Sequence, residues 1–205
     1  MAKVRRTAAG VGVLFIVATG CYLMGQVLHG PLLGSGDALE LAFPHRGRVL
    51  AGVLTELAGV LAIPLIALVF FPILRRFSEE LALCYIGLRM LEAAALLIID
   101  ANLWSMVSLS EAFHTGAAPA AQLTTQLRTL EAMNGAAFLI SVAVVFPIGS
   151  CLLNAVLWRS RLVPRFLSGW GVLGAALLFM GSLSSFFGLL ASLPAGLLEG
   201  VLTAP

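Results

Sequence analysis

The chain has 205 residues, of which 60% are hydrophobic and only 11% are charged, and its net charge is +2. Soluble domains carry about 25% charged residues, so this sequence lacks the polar material to cover a water-exposed surface. A net charge this small excludes the basic surface typical of nucleic-acid binding, and no nucleic-acid partner is expected. The composition indicates an integral membrane protein, whose outer surface can be apolar because it faces lipid.

Five apolar segments are long enough to cross a membrane, which takes about 20 helical residues. In chain order they cover residues 7–28, 47–74, 80–109, 127–158 and 165–193. The remaining residues, 194–205, are apolar but few, so they predict a short or truncated sixth span. The predicted fold is all-α, a polytopic transmembrane helix bundle that forms a single domain over residues 1–205.

Breaker and capping residues set the predicted boundaries of these segments. Gly30 and Pro31 predict the end of the first helix, because proline removes a backbone donor. Ser78, which two glutamates follow, is typical of the residue that caps a helix start. The polar stretch 110–126 predicts a loop before the fourth segment, and Pro164 separates the fourth segment from the fifth.

Basic residues near the segment ends predict the orientation. With the N-terminus inside, the inner side receives Lys3, Arg5, Arg6, Arg75, Arg76, Arg159, Arg161 and Arg165. The outer side then receives Arg46, Arg48 and Arg128. Because cytoplasmic loops carry an excess of Lys and Arg, this asymmetry predicts a cytoplasmic N-terminus.

The third segment carries charged residues at membrane depth, where each costs about 2.5–3.5 kcal/mol on insertion scales. At about 100° per residue, four polar residues fall within an arc of roughly 80°. They are Tyr85, Arg89, Glu92 and Asp100. Arg89 and Glu92 are three residues apart and can pair directly. Two interpretations stay open: an ion pair that fixes helix packing, or a site for a substrate, a proton or a lipid headgroup.

Further polar residues are expected in the outer half of the membrane. Glu56 lies about nine residues, near 13 Å of helix rise, inside the second segment. Asp100 should lie at a similar depth, as should Glu131 and Asn134 of the fourth segment. They are either solvated near the outer interface or part of a carboxylate cluster. The candidate ligand-binding residues are therefore Arg89, Glu92, Glu56, Tyr85, Asp100 and Asn134.

Motifs for catalysis, metals and cofactors do not stand out. His29, His45 and His114 fall in predicted loops without ligand spacing, so neither a metal nor a cofactor is expected. The three cysteines form no C-x-x-C pair. No nucleophile and base can be placed together, so no catalytic residue is assigned and an enzyme is not the favoured interpretation.

Two stretches carry a resemblance to a known family. One is Leu81-Ala82-Leu83, Tyr85, Gly87-Leu88-Arg89 and Leu91-Glu92-Ala93-Ala94; the other is Ser160-Arg161-Leu162-Val163-Pro164-Arg165-Phe166-Leu167 with Gly169-Trp170-Gly171. Together with the opening Arg5-Arg6-Thr7-Ala8-Ala9-Gly10, they resemble a bacterial multi-pass membrane family known as domain of unknown function 4386. The resemblance implies a six-helix bacterial inner-membrane protein in which Glu199 matches an acidic residue of the last helix. It implies no reaction.

The leading hypothesis is a membrane protein that binds a partner or an amphiphilic ligand within its bundle. In this hypothesis Arg89 meets an anionic group and Glu56 accepts a proton or a cation. A proton-coupled small transporter is one alternative, and an intramembrane enzyme that uses the carboxylates as acid and base is another. The expected partners are membrane lipid and either a partner membrane protein or a second copy of the chain.

Overall fold

A computed structural model describes residues 2–33, 36–160 and 163–186, with side chains over 10–33, 36–160 and 163–184. Within these ranges the secondary structure is helical, with no β-strand. The helices are α1 (Ala2–Leu33), α2 (Ala38–Leu41), α3 (Arg46–Leu74), α4 (Glu79–His114), α5 (Ala120–Phe138), α6 (Phe146–Ser160) and α7 (Arg165–Phe186). A π-helical segment, Leu139–Val145, joins α5 to α6.

Five stretches are long and apolar enough to cross a membrane, which confirms the predicted all-α, polytopic fold. They are Gly10–Leu33, Arg46–Leu74, Glu79–His114, Ala120–Ser160 and Arg165–Ser184. The predicted short sixth span, 194–205, lies outside the described residues, as does the end of the fifth predicted span, 187–193. The chain is therefore an integral membrane protein with at least these five candidate spans.

Helix α4 occupies the centre of the bundle. It packs against α3, α5, α6 and the π segment, while α1 packs mainly against α3 and α7 mainly against α6. We call the side with the start of α1 and the connections after α3 and α6 the N-terminal side. The connections after α1 and α4 then lie on the opposite side.

Two groups of buried apolar side chains form the core, one toward each side of the bundle. Toward the opposite side, Leu39 of α2 and Met106 of α4 belong to a group that also includes residues of α1, α3 and α5. Toward the N-terminal side, Leu74, Tyr85 and Val156 join α3, α4 and α6. The buried charged residues of α4 lie between these two groups, in the middle of the bundle.

Helix α1 continues to Leu33, so the prediction that Pro31 ends it was wrong. A proline inside a helix leaves the carbonyl four residues earlier without its N–H donor. That carbonyl belongs to Val27, and Arg48 of α3 donates a hydrogen bond from Nη2 to it at 3.1 Å. Packing of α3 beside α1 therefore supplies the donor that the proline removes.

The loop predicted over residues 110–126 is present but shorter, because α4 continues to His114 and α5 begins at Ala120, which leaves residues 115–119 as the connection. The polar composition of this stretch, with Gly116 and Pro119, suggested irregular structure. In the fold, Thr124 instead donates its hydroxyl to the carbonyl of Ala120, one helical turn earlier, at 2.9 Å. This bond lets a hydroxyl residue stay in a helix, so a polar composition did not mark a loop here.

The π-helical segment interrupts the fourth span and had no counterpart in the sequence predictions. It ends just before Pro147, which cannot donate a backbone hydrogen bond. The N–H of Phe146 reaches the carbonyl of Ser141, five residues earlier. Such wide turns are rare and frequently occur at functional sites. Here the segment contacts α4, and the Ser141 hydroxyl donates to the backbone carbonyl of Glu92 at 3.3 Å.

Candidate functional site

A group of polar side chains lies where α1, α3 and α4 meet, and we call Gln26, His29, Glu56 and Asp100 the acidic cluster. His29, Glu56 and Asp100 are buried, whereas Gln26 is exposed. Glu56 is at its centre and is only 4% exposed. Gln26 donates from Nε2 to Oε1 of Glu56 at 3.0 Å. Nε2 of His29 lies 3.0 Å from the other oxygen, Oε2. The Glu56 carboxylate therefore contacts two residues of α1 that are three positions apart.

The contact between His29 and Glu56 has the distance of an ion pair but not the alignment of a hydrogen bond. Nε2 of His29 is buried and has no hydrogen-bond partner among the described residues. The imidazole ring is thus held against the carboxylate while its buried nitrogen retains an unused hydrogen-bonding position.

Asp100 completes the acidic cluster from α4. Its side chain is 6% exposed and lies within electrostatic range of Glu56 and His29. Its Oδ2 atom is buried and, in the described part of the chain, accepts no hydrogen bond. A buried polar atom without a partner is costly, so this oxygen favours a proton or a hydrogen-bond donor beside it.

Two glycines make the space that the acidic cluster occupies. A Cβ atom at Gly25 would overlap the Glu56 side chain, and it would lie 2.9 Å from Cδ of that residue. A Cβ atom at Gly52 would lie 2.9 Å from Cδ2 of His29 and 3.1 Å from the carbonyl oxygen of Gly25. The absence of side chains at both positions lets α1 and α3 approach closely, as small residues do between membrane helices.

A second group, which we call the arginine cluster, consists of Tyr85, Arg89 and Glu92 of α4. Arg89 donates from Nη1 to Oε2 of Glu92 at 2.7 Å and from Nε to the Tyr85 hydroxyl at 3.0 Å. The pairing of Arg89 with Glu92 is the one that their spacing predicts. The rings of Phe15, Tyr85 and Phe146 also lie 5.3–6.0 Å from the guanidinium carbon, within the range of cation–π attraction. The guanidinium is therefore stabilised by partners from within the protein.

Asn134 belongs to neither cluster. Its Oδ1 accepts a hydrogen bond from Nδ2 of Asn102 at 2.8 Å, which links α5 to α4. Glu131, one turn earlier on α5, is exposed. Of the residues in the predicted carboxylate cluster, Glu56 and Asp100 lie within electrostatic range of each other, whereas Asn134 links α5 to α4 and Glu131 is exposed.

Sequence reasoning missed two members of the acidic cluster, Gln26 and His29. His29 was predicted to lie in a loop beyond the first helix, which was wrong, because α1 continues past it and buries its ring to 3% exposure. The signal that could have revealed them is their spacing, since residues three apart share a helix face.

The acidic cluster can bind a proton or a cation. Neighbouring carboxylates disfavour joint ionisation, so such a pair tends to retain a proton or to attract positive charge. Among the described residues, no three His, Cys, Asp or Glu side chains are arranged to hold a metal ion.

Comparison with known proteins gives a family but no function. A family model described as a domain of unknown function (DUF4386) matches residues 10–204, which is nearly the whole chain. No curated protein and no solved structure matches the chain significantly.

Proposed function

Because this chain belongs to a family of unknown function (DUF4386), we propose its function from its own residues: it binds the cationic headgroup of an amphiphilic ligand at the acidic cluster. The observation that carries the proposal is the buried Oδ2 of Asp100, which lacks a hydrogen-bond partner among the described residues. A protonated amine donates the hydrogen bond that this oxygen lacks and supplies the positive charge that the carboxylates attract.

Charge balance supports a cation at this position. Glu56 and Asp100 are both acids, and His29 is the one member of the acidic cluster that can carry a positive charge. The arginines of the adjacent helix turns have other partners, since Arg48 binds a backbone carbonyl and Arg89 binds within its own cluster. With both carboxylates ionised, the cluster holds excess negative charge, which burial makes costly. A bound cation or proton removes that excess.

The surroundings favour an amphiphilic ligand over a small water-soluble one. The acidic cluster lies inside a bundle whose outer surface is apolar, so a ligand from the bilayer reaches it sideways. Tyr22 of α1 is 42% exposed and interacts with both Gln26 and Glu56. It therefore connects the cluster to the lipid-facing surface. An amine on an acyl or alkyl chain matches this combination of a buried acidic group and an apolar approach.

Ligand and proton compete for the same carboxylates in this proposal. A proton on either carboxylate removes a negative charge, so the protonated cluster attracts the ammonium group less. As the pH rises the carboxylates ionise, while an alkylamine, like a lysine side chain with a pKa near 10.4, stays protonated. His29 and Tyr22 also lie within electrostatic range of Glu56. Binding should therefore strengthen with pH.

Dodecylamine is a suitable probe, with dodecanol and dodecanoate as neutral and anionic probes of equal chain length. Native mass spectrometry of the full chain in detergent counts the bound probe molecules. We expect one dodecylammonium ion per chain and stronger binding at about pH 8 than at about pH 5. Asp100→Asn and Glu56→Gln should each weaken binding about tenfold or more, as the loss of a buried charge partner does.

Glu131→Gln is the matched control, because it removes an exposed carboxylate of α5 that lies outside the acidic cluster. It should bind dodecylammonium as the parent protein does. Helix content and the gel-filtration profile verify that each variant is folded. Equal binding of dodecanol, or retained binding in the combined Asp100→Asn and Glu56→Gln variant, would refute the proposal.

Proton-coupled transport is the second candidate function. It is supported by the two charged layers along α4, with Asp100 nearer the opposite side and the arginine cluster nearer the N-terminal side, next to the π segment. Coupling of cation transport to proton transport requires that a proton and the cation exchange at the same carboxylate site. In proteoliposomes, a pH gradient should then drive dodecylammonium flux that Glu56→Gln abolishes and Glu131→Gln does not. Binding without flux would limit the function to binding.

We also infer that the protein resides in a bacterial inner membrane with a cytoplasmic N-terminus. The basis is the resemblance noted in the sequence and the excess of Lys and Arg on the N-terminal side. In that orientation the acidic cluster lies in the outer half of the membrane. Labelling of Cys substitutions at residues 77 and 117 by a membrane-impermeant reagent tests the orientation, since only the second should react in intact cells.

A further inference from the structure

An exposed groove lies on the N-terminal side of the bundle, where α6 is followed by α7. Its volume is about 340 Å³. We call it the aromatic groove, and it is lined by Trp158, Arg165, Phe166, Gly169, Trp170 and Leu173. The guanidinium carbon of Arg165 lies 5.9 Å from the Trp158 ring centroid, and the rings of Phe166 and Trp170 stack at 6.3 Å. The groove thus combines one cation, which lies over Trp158, with a stacked pair of aromatic rings.

The position of the aromatic groove indicates what it faces. It lies beside the connection between two membrane spans, at the level where a bilayer changes from hydrocarbon to headgroups. Tryptophan is enriched at this level because its ring is apolar and its N–H is polar. Trp170 is 66% exposed and Phe166 is 76% exposed, so the described part of the protein leaves both rings largely uncovered.

The positive charge at this connection has no acidic counterpart. Arg159, Arg161 and Arg165 are close in sequence, yet no Asp or Glu occurs between Glu131 and Glu199. Neither Arg159 nor Arg165 forms an ion pair with any residue whose side chain the structure describes.

The other connection on the N-terminal side provides a contrast. There, Arg75 and Arg76 are followed within four residues by Glu79 and Glu80, which supply local negative charge. The connection beside the aromatic groove therefore differs in having only cations, and it requires negative charge from outside the described protein.

We propose that the aromatic groove binds an anionic phospholipid of the adjoining leaflet. Arg165 donates hydrogen bonds to the phosphate, and Arg159 adds positive potential beside it. The acyl chain lies along the apolar part of the groove, over Phe166 and Leu173. A zwitterionic lipid would leave the charge of the arginines uncompensated, so the groove discriminates by headgroup charge. This site is separate from the acidic cluster and does not depend on its function.

Tryptophan fluorescence can test the proposal directly. The chain has three tryptophans, and Trp104→Phe leaves Trp158 and Trp170, which both line the groove, as the reporters. The protein is reconstituted into phosphatidylcholine vesicles that contain, at equal mole fraction, dibrominated phosphatidylglycerol or dibrominated phosphatidylcholine. Bromine quenches tryptophan on contact, so the ratio of the two quenching curves measures headgroup preference. We expect phosphatidylglycerol to quench more strongly.

Charge variants identify the source of that preference. Arg165→Gln should lower it about fivefold, the effect of one basic residue near an anionic surface, while Arg165→Lys should retain most of it. Arg75→Gln is the control, because it removes the same charge at the other connection, and it should leave the preference unchanged. Unchanged emission spectra before quenching verify the fold of the variants.

Several outcomes would overturn the proposal. Equal quenching by the two lipids would mean that no anionic lipid is selected. An unchanged preference in Arg165→Gln, or an equal loss in Arg75→Gln, would attribute it to general surface potential and not to the aromatic groove. Loss of the preference in millimolar inorganic phosphate would identify a site for soluble anions.

Discussion

Gly25 of α1 lies directly against the side chain of Glu56 in α3, at a position where any Cβ atom would overlap the glutamate. A charged residue inside a membrane bundle needs both space and polar partners. Gly25 provides the space, and Gln26 and His29, which follow on the same helix, provide the partners. The α1–α3 contact is thus shaped around the carboxylate that the proposed function requires.

Gly25→Ala should destabilise the protein. Overpacking against Glu56 costs about 1–3 kcal/mol, which should exceed the gain of about 1 kcal/mol in helix propensity from glycine to alanine. Titration with SDS in mixed micelles measures the unfolding free energy. Gly20→Ala is the control, because it lies on the same helix with nothing near its Cβ position, and it should be neutral or slightly stabilising.

A combined variant separates this steric effect from a general effect on α1. Adding Glu56→Ala to Gly25→Ala removes the overlapping side-chain atoms and leaves the Gly52 carbonyl oxygen, 2.9 Å from the Cβ position. The two substitutions should therefore be coupled, and the cost of Gly25→Ala should fall. Equal stability of Gly25→Ala and Gly20→Ala would mean that Glu56 does not pack against α1.

The arginine cluster should respond asymmetrically to removal of its charges. Arg89→Leu leaves the buried carboxylate of Glu92 without its cation and should cost about 3–5 kcal/mol in the unfolding free energy. The double variant with Glu92→Leu removes both charges and should be more stable than Arg89→Leu alone. SDS titration of both variants checks this order, and a double variant as unstable as Arg89→Leu would contradict it.

Arg48 should stabilise α1 only while Pro31 is present. Arg48→Met removes the hydrogen bond to the carbonyl of Val27 and should cost about 0.5–1 kcal/mol. Pro31→Ala restores a backbone N–H for that carbonyl, so in this background Arg48→Met should have little effect. Unfolding free energies of the two single variants and the double variant give the coupling.

Arg46→Met is the control for that cycle. Arg46 lies at the same end of α3, but its guanidinium rests over the ring of Phe43, 5.1 Å from the centroid, and makes no bond to α1. The change in unfolding free energy caused by Arg46→Met should be the same with and without Pro31. Additive effects of Arg48→Met and Pro31→Ala would show that the arginine does not compensate the proline.

Ser110 should control the order of α2. Its buried hydroxyl donates to the carbonyl of Leu39 at 2.7 Å and accepts from the N–H of Phe43 at 2.8 Å. Ser110→Ala leaves both backbone groups without this partner, so amide hydrogen exchange should accelerate over residues 37–45. Ser105→Ala removes a hydroxyl that bonds only within α4, to Ala101, and should leave exchange in this region unchanged. Equal exchange in the two variants would contradict the bridging role.

The spans could be predicted because a membrane helix has to be apolar over a fixed length, and that property is local in sequence. The pairing of Arg89 with Glu92 is local too, since both lie on one helix. The C-terminal end of α1 could not be predicted in this way, because it depends on a contact with another helix. Pro31 is tolerated because Arg48, on another helix, supplies a donor to Val27, and this compensation is a tertiary contact.

The acidic cluster was only partly predictable for the same reason. Depth along the membrane placed Glu56 and Asp100 at a similar level, but depth does not tell which faces of two helices meet. His29 was missed because the end of α1 was placed too early. Gly25 and Gly52 become informative only when α1 and α3 are known to be neighbours, since a glycine in an apolar helix otherwise has several explanations.

The lengths of α4 and of the neighbouring span Ala120–Ser160 determine which parts of these helices a soluble protein can reach. α4 has 36 residues and the span Ala120–Ser160 has 41, so each is longer than about 50 Å, whereas bilayer hydrocarbon is about 30 Å thick. On the opposite side, where the connection 115–119 joins the two helices, α4 and α5 pack against α2 and against residues of α1 and α3. Both helices therefore extend beyond the hydrocarbon, and an antibody fragment or a soluble protein can contact their ends without entering lipid.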